Sequence, residues 1–396
     1  MWAFPCLAKP RHGRGLSNMQ TLIIGAGPAG LAIASQLAQR KLPFMVLEAS
    51  EYIGLSWRNH YDRLHLHTVK AYSALPHFPL PSHYPTYVSR LQVVDYLERY
   101  AEHVAIKPLF NQKVIGIRRN ATGKGWQVQT ETDLFTADSV VVASGYNRVP
   151  NVPELPGQRD FRGIIWHSHE YRNGAPFRNE NTLIVGMGNT GAELALDLLE
   201  NGSTPFISVR GPVNIVKRET FGRPTQPTAI FLSKFPNWFY DAIARLSQRL
   251  TVGDVSAYGL GKPAHPPSYD ARRGKIPVID VGTLDQIKAG KITVLPGVER
   301  IHAKTVTFTD GRELPFDAII LATGYRPGLS AVLGADTAAT ALNDRGFPKG
   351  LWFGQPELAG LYFLGFTTPV TGVLHNLNKD SGKIANHISE NNFVSL

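Results

Sequence analysis

A chain of 396 residues, 43% hydrophobic and 18% charged, is long enough for two domains that each bury a core of their own. Its 41 Lys and Arg against 31 Asp and Glu leave a net charge of +10, but no basic run or recognition motif accompanies the excess. It reads as attraction for anionic small molecules, and nucleic acid is not expected as a partner. The lone cysteine, Cys6, excludes a dithiol redox pair and a multi-cysteine zinc site, so no metal is expected.

No apolar stretch approaches a membrane span, so no membrane partner is expected, and a cytoplasmic location is. Residues 1–18 are basic and lack the apolar core of a secretory signal; they read as a disordered extension, or else as a tail with a purpose. Thr21–Ile24 is a short apolar strand running into Gly25-Ala-Gly27-Pro-Ala-Gly30, followed by a helical pattern to Arg40 and a second strand, Phe44–Leu47. Residues 89–103 read as an amphipathic helix capped by Ser89. Residues 113–118, 125–130 and 135–142 suit an antiparallel meander. A proline-rich crossing from Val149 to Gly157 marks a boundary.

Beyond it the pattern returns. Thr182–Val185 leads into Gly186-Met-Gly188-Asn-Thr-Gly191, then a helix to about Glu200 and a strand at 206–209. An aromatic-rich helix is expected at about 229–250, a polar loop at 251–281, a buried strand within 316–324 and a last helix at about 376–390. One G-x-G-x-x-G is weak evidence; two, each between a strand and a helix, are strong. The first Gly permits the turn, the second admits a pyrophosphate to the backbone, and the third lets the helix pack on its strand. The fold expected is α/β with two dinucleotide-binding, Rossmann-like domains.

What ends the second strand of each unit separates the nucleotides. Glu48, eighteen residues after Gly30, suits the ribose hydroxyls of FAD or NAD. Arg210, nineteen after Gly191, suits the 2′-phosphate of NADPH, with Lys217 and Arg218 near enough to share it. Two small-residue turns, Ser144-Gly145-Tyr146 and Thr323-Gly324-Tyr325, suit a chain crossing beside a bound dinucleotide.

Phe161-Arg-Gly163-Ile-Ile-Trp-His167-Ser-His-Glu-Tyr171 resembles the F-x-G-x-x-x-H-x-x-x-Y fingerprint of the flavin-containing monooxygenases. Tyr61–Lys70, Tyr84–Tyr87, Val209-Arg210, Lys275–Thr283 and Phe316–Tyr325 are similar to the YUCCA-type branch, and the likeness covers about 19–390. It implies an FAD-binding domain, 19–155 with 318–396, into which an NADPH-binding domain, 156–317, is inserted. It also implies Trp57 beside the flavin, and His67 and Asn189 as groups of the reaction pocket.

The reaction implied is a flavin monooxygenation: NADPH reduces the flavin, oxygen adds at its carbon 4a, and the peroxide oxidises a small molecule. In the plant branch that molecule is indole-3-pyruvate, decarboxylated to indole-3-acetate. N- or S-oxygenation of an amine or sulfide, an uncoupled NADPH oxidase or flavin reductase, and an NADPH-sensing flavoprotein are the alternatives. A homodimer is left open. Thr371–Asn378 is more polar than the branch's glycine-rich turn and is expected to face the flavin edge.

Overall fold

The computed structural model describes residues 21–121, 123–263, 265–266, 268–269, 276–369 and 371–393. The basic extension 1–18 with Cys6 lies outside the described residues, as does Lys275 of the YUCCA-like stretch.

Two parallel sheets organise the chain. In the first, the strands run in the order Phe44–Leu47, Thr21–Ile24, Ser139–Val142 and Leu361–Phe363. In the second the order is Thr293–Leu295, Thr204–Ser208, Asn181–Val185, Ala318–Leu321 and Ile164–His167. Each central strand, Thr21–Ile24 and Asn181–Val185, feeds a glycine turn and then a helix, Pro28–Gln39 or Asn189–Glu200. The second sheet falls between the third and fourth strands of the first, so one dinucleotide fold is inserted in the other.

Strand Ala318–Leu321 pairs with Thr182–Val185 and Ile164–His167 inside the second sheet. The return crossing therefore follows Leu321, where a division at 318 would have cut the sheet. It runs beside the outward crossing: Tyr325–Arg326 pairs antiparallel with Val149–Pro150. Asn151 ties the two passages together, donating from Nδ2 to the Thr323 carbonyl and accepting from Arg326 on Oδ1.

Three expected elements differ in extent. The stretch 135–142 divides at Asp138: Leu134–Ala137, half exposed, completes the antiparallel meander, while the wholly buried Ser139–Val142 enters the parallel sheet. A continuous apolar run suits a sheet covered on both faces, and a partly exposed one does not. The aromatic-rich helix is two, Thr225–Leu232 and Asn237–Thr251, because Pro236 cannot continue a helix. Within 251–281, Val278–Asp280 forms a strand against Ile215–Lys217. The last helix is Val373–Phe393 and packs against Pro28–Gln39. Ser89 caps the helix Arg90–His103 in a capping box with Gln92, as its sequence position suggests.

Candidate active site

The glycines of the first turn answer three different demands. Gly25 has φ 108°, and a Cβ there would lie 2.7 Å from the Ala143 carbonyl oxygen. A Cβ on Gly30 would fall 1.8 Å from the Gly25 carbonyl oxygen, so only glycine lets the helix approach its strand. Gly27 differs: a Cβ there meets nothing within 4 Å. The second turn repeats this: Gly186 has φ 108° and its added Cβ would lie 2.8 Å from the Ala322 oxygen, one on Gly191 would lie 2.1 Å from the Gly186 oxygen, and one on Gly188 would meet nothing.

A cavity of about 910 Å³ lies between the two units. Of the expected residues, Gly25, Gly27, Glu48, Trp57, His67 and Asn189 line it; Gly30, Gly186, Gly188, Gly191, Arg210 and Gly324 do not. Glu48 is buried and fixed: Oε2 accepts from the Ala26 amide at 2.8 Å, and Oε1 accepts from the Ser50 amide and hydroxyl. Arg210 stands exposed just past the end of Thr204–Ser208.

Gly324 takes φ 80°, and its carbonyl oxygen lies 3.0 Å from His167 Nε2. The other fingerprint residues are also structural in their contacts. Gly163 lets its chain pass the Asp317 carbonyl, where a Cβ would come within 2.2 Å, and the Tyr171 hydroxyl donates to Asp197 Oδ2 at 2.5 Å. The motif thus fastens the edge strand Ile164–His167 and the return crossing.

His67 Nε2 lies 2.5 Å from Glu193 Oε1, joining a loop of the first unit to the glycine helix of the second. Glu193 is buried beside Tyr61. Burial, then the Glu193 charge, hold the Tyr61 phenol well above its usual range, so it stays a neutral donor. Nearby, His60 lines the cavity with its pKa lowered to about 4, by burial first and then by the charges of His169, Arg172 and Arg90. It is a neutral imidazole at physiological pH.

Asn189 has both ends of its amide engaged: Oδ1 accepts from the Ile279 amide at 2.6 Å, and Nδ2 donates to the Pro277 carbonyl at 3.4 Å. It braces the segment 277–279 against the second glycine helix. Lys217 is held by Asp280 and Asp285; burial opposes its charge, but the two carboxylates outweigh it and raise its pKa. Arg218 contrasts with it. Its guanidinium stacks over the Tyr87 ring at 4.1 Å, lines the cavity, and keeps a buried Nε with no hydrogen-bond partner among the described residues.

The turn into the last helix departs from expectation. Gly372, Val373, Leu374 and Leu377 face the cavity. His375 packs edge-on against Tyr72, Asn376 donates to Asp380, and Asn378 donates to the Ala74 carbonyl. The polar residues fall on the other sides of the helix, so the wall they were expected to alter remains apolar.

Sequence reasoning passed over Tyr61, Glu193 and Gln226. Glu193 was legible as an acid among apolar residues on the buried face of the glycine helix, four residues before Asp197. Gln226 left no such signal; its side chain accepts from the Val69 amide and donates to the Thr371 carbonyl, closing the cavity between the units.

A model of the flavin-binding monooxygenase-like family matches residues 18–367. The chain belongs to that family. This flavin-binding monooxygenase is 36% identical over 360 residues to the probable indole-3-pyruvate monooxygenase YUCCA3 of Arabidopsis thaliana, covering 87% of this chain and 82% of that protein. It is 39% identical over 353 residues to the indole-3-pyruvate monooxygenase YUCCA1 of Oryza sativa subsp. japonica, covering 87% and 86%.

Solved structures share its fold. A flavin-containing monooxygenase from Stenotrophomonas maltophilia matches with a TM-score of 0.69 at 20% identity, over 94% of this chain and 98% of that one. OTEMO in complex with FAD and NADP (form 4) matches at 0.68 and 16%, over 94% and 85%. The protein is an FAD- and NADPH-dependent monooxygenase of the YUCCA type. No helix among the described residues is long and apolar enough to cross a membrane.

Proposed function

We propose that the protein oxidatively decarboxylates a 2-oxo acid with an apolar side chain, indole-3-pyruvate being the first to test. FAD, once reduced by NADPH, supplies the oxygen-activating chemistry. The residues fit both cofactors. Gly25, Gly27 and Gly30 would hold FAD, in the unit formed by 19–155 and the chain after the return crossing. The open face at Gly27 would admit its pyrophosphate, Glu48 would meet its ribose, and Trp57 lines the cavity where the ring would lie. Gly186, Gly188 and Gly191 would hold NADPH, with Arg210 placed to meet its 2′-phosphate. Gly324, at φ 80°, would shape the return crossing and not touch them.

The observation that carries the substrate class is Arg218. A guanidinium on the cavity wall, stacked over Tyr87 and making no salt bridge among the described residues, suits a carboxylate. The apolar remainder of the acid meets Leu232, Tyr240, Ile243 and Ala244, which line the same cavity. Glu193 fixes the His67 ring through Nε2 at the cavity wall, where it would orient the reacting groups. Asn189 acts through the backbone it braces.

Product analysis under oxygen tests the reading, comparing NADPH consumed, the acid one carbon shorter, and hydrogen peroxide released. Tight coupling with indole-3-pyruvate or phenylpyruvate is expected. Arg218→Ala should raise the KM for the acid about ten- to a hundredfold, the value of a charge-assisted contact. The KM for NADPH should stay within about twofold. If only an amine or sulfide couples, the reading fails; if Arg218→Ala acts on NADPH alone, the guanidinium serves the coenzyme.

A further inference from the structure

The helix pair Thr225–Leu232 and Asn237–Thr251 has two faces of different purpose. Leu232, Tyr240, Ile243, Ala244 and Ser247 form one wall of the cavity. The opposite face is apolar too, and exposed: Phe231, Phe235, Leu246 and Leu250 stand out, with Trp238 72% accessible. The hairpin that leads into the pair presents Phe221 at its tip, 86% accessible and at φ 52°, a backbone conformation rarely adopted by an aromatic residue. The rings form one continuous patch, with Phe231 to Phe235, Phe235 to Phe239 and Trp238 to Phe239 all between 5.3 and 5.7 Å.

We propose that this face docks on an anionic phospholipid bilayer, lying in its interface and not crossing it. The charges decide between occupants. Arg245 and Arg249, seven and eleven residues after Trp238, share its side of the helix, and Lys234 and Arg223 border the patch. All four are exposed and make no salt bridge among the described residues. The helix's one acid, Asp241, is turned away to accept from the Ser268 amide and hydroxyl.

A second copy related by a two-fold axis would bring these cations against their own equivalents. An anionic headgroup layer pairs with them while the aromatic and leucine side chains enter the acyl boundary. The expectation that no membrane is engaged rested on the absence of a long apolar run. An interfacial face escapes that criterion, because its apolar residues are interleaved with arginines. Docking here sets the outer side of a cavity wall against the lipid.

Co-sedimentation of the FAD-loaded enzyme with vesicles tests the proposal, comparing phosphatidylcholine alone with phosphatidylcholine containing phosphatidylglycerol. Binding is expected to be at least roughly tenfold tighter to the anionic vesicles, and to weaken with added salt. The double variant Trp238→Ser, Leu250→Ser should lose about tenfold or more of that binding, with flavin content and NADPH oxidation unchanged. Arg245→Gln with Arg249→Gln should abolish the preference for anionic lipid.

Failure to pellet with either vesicle overturns the proposal. So does vesicle binding that both double variants retain. Sedimentation equilibrium supplies the remaining outcome. A dimer that Trp238→Ser, Leu250→Ser converts to monomer would show that a second copy covers the face, and the lipid assignment would fall.

Discussion

The two glycine turns have nearly the same backbone and different surroundings. Gly25 and Gly186 share φ 108°, each beneath the carbonyl that follows the neighbouring strand, Ala143 or Ala322. The residue that ends the next strand is where they part. Glu48 is buried and fixed by three hydrogen bonds, from the Ala26 amide and from Ser50. Arg210 is exposed at the rim, outside the cavity. A pre-organised carboxylate suits a nucleotide that stays bound, and a side chain free in solvent suits one that comes and goes. The glycines of the two turns are alike; on the proposed reading, the environment of one charged residue would then set residence and choice.

Glycine substitutions break this comparison most severely. Gly30→Ala places a methyl 1.8 Å from a backbone carbonyl, and Gly191→Ala places one at 2.1 Å. Each should cost about 3 kcal/mol or more, since neither backbone can move without parting helix from strand. Low yield and a fall in urea midpoint are the expected readouts. Gly27→Ala and Gly188→Ala meet only open space in the protein and should fold. The first should emerge depleted of FAD; the second should stay yellow while its reduction by NADPH slows at least about tenfold. Equal loss of flavin from both would erase the distinction between the turns.

Arg210 gives the next largest effect. Its replacement by Ala should raise the KM for NADPH about ten- to a hundredfold and leave that for NADH within about twofold, since only the 2′-phosphate is lost as a partner. Steady-state kinetics with both coenzymes decide the matter. A similar rise in both would mean that the arginine meets some other part of the dinucleotide.

The legibility of the sequence follows the same division. Both turns, their strands and the alternation of the sheets were readable, because spacing and glycine sterics are local. Where one element ended and another sheet began was less so. Ser139–Val142 and Ala318–Leu321 are apolar runs whose sheet is chosen by distant partners, Thr21–Ile24 and Thr182–Val185. Within the site, Trp57 and His67 do line the cavity, but Glu193, which His67 faces, lies 126 residues away. The direction of His375 was hidden for another reason. Helical phase decides which residues after Gly372 meet the cavity, and it gave that place to Val373, Leu374 and Leu377.

The smallest effect tests how the two regions are held together. His60 belongs to the first unit, and its pKa is lowered from 6.5 to about 4, chiefly by burial, then by His169 and Arg172 of the second unit and Arg90 of the first. Between those values the unfolded chain binds a proton here that the folded chain does not. The neutral imidazole therefore favours the folded state fully above about pH 6.5, and progressively less as pH falls toward 4. Stability should drop by something on the order of 1–3 kcal/mol over that range from this group, with His60 only partly shielded from solvent. Urea unfolding of the FAD-loaded protein at about pH 7.5 and about pH 4.5 measures it, and His60→Gln, which cannot titrate, should flatten the difference. A variant whose pH dependence matched the parent would place the proton elsewhere. His60 would then be a packed side chain at the junction, and the contact between the two regions would owe nothing to its charge.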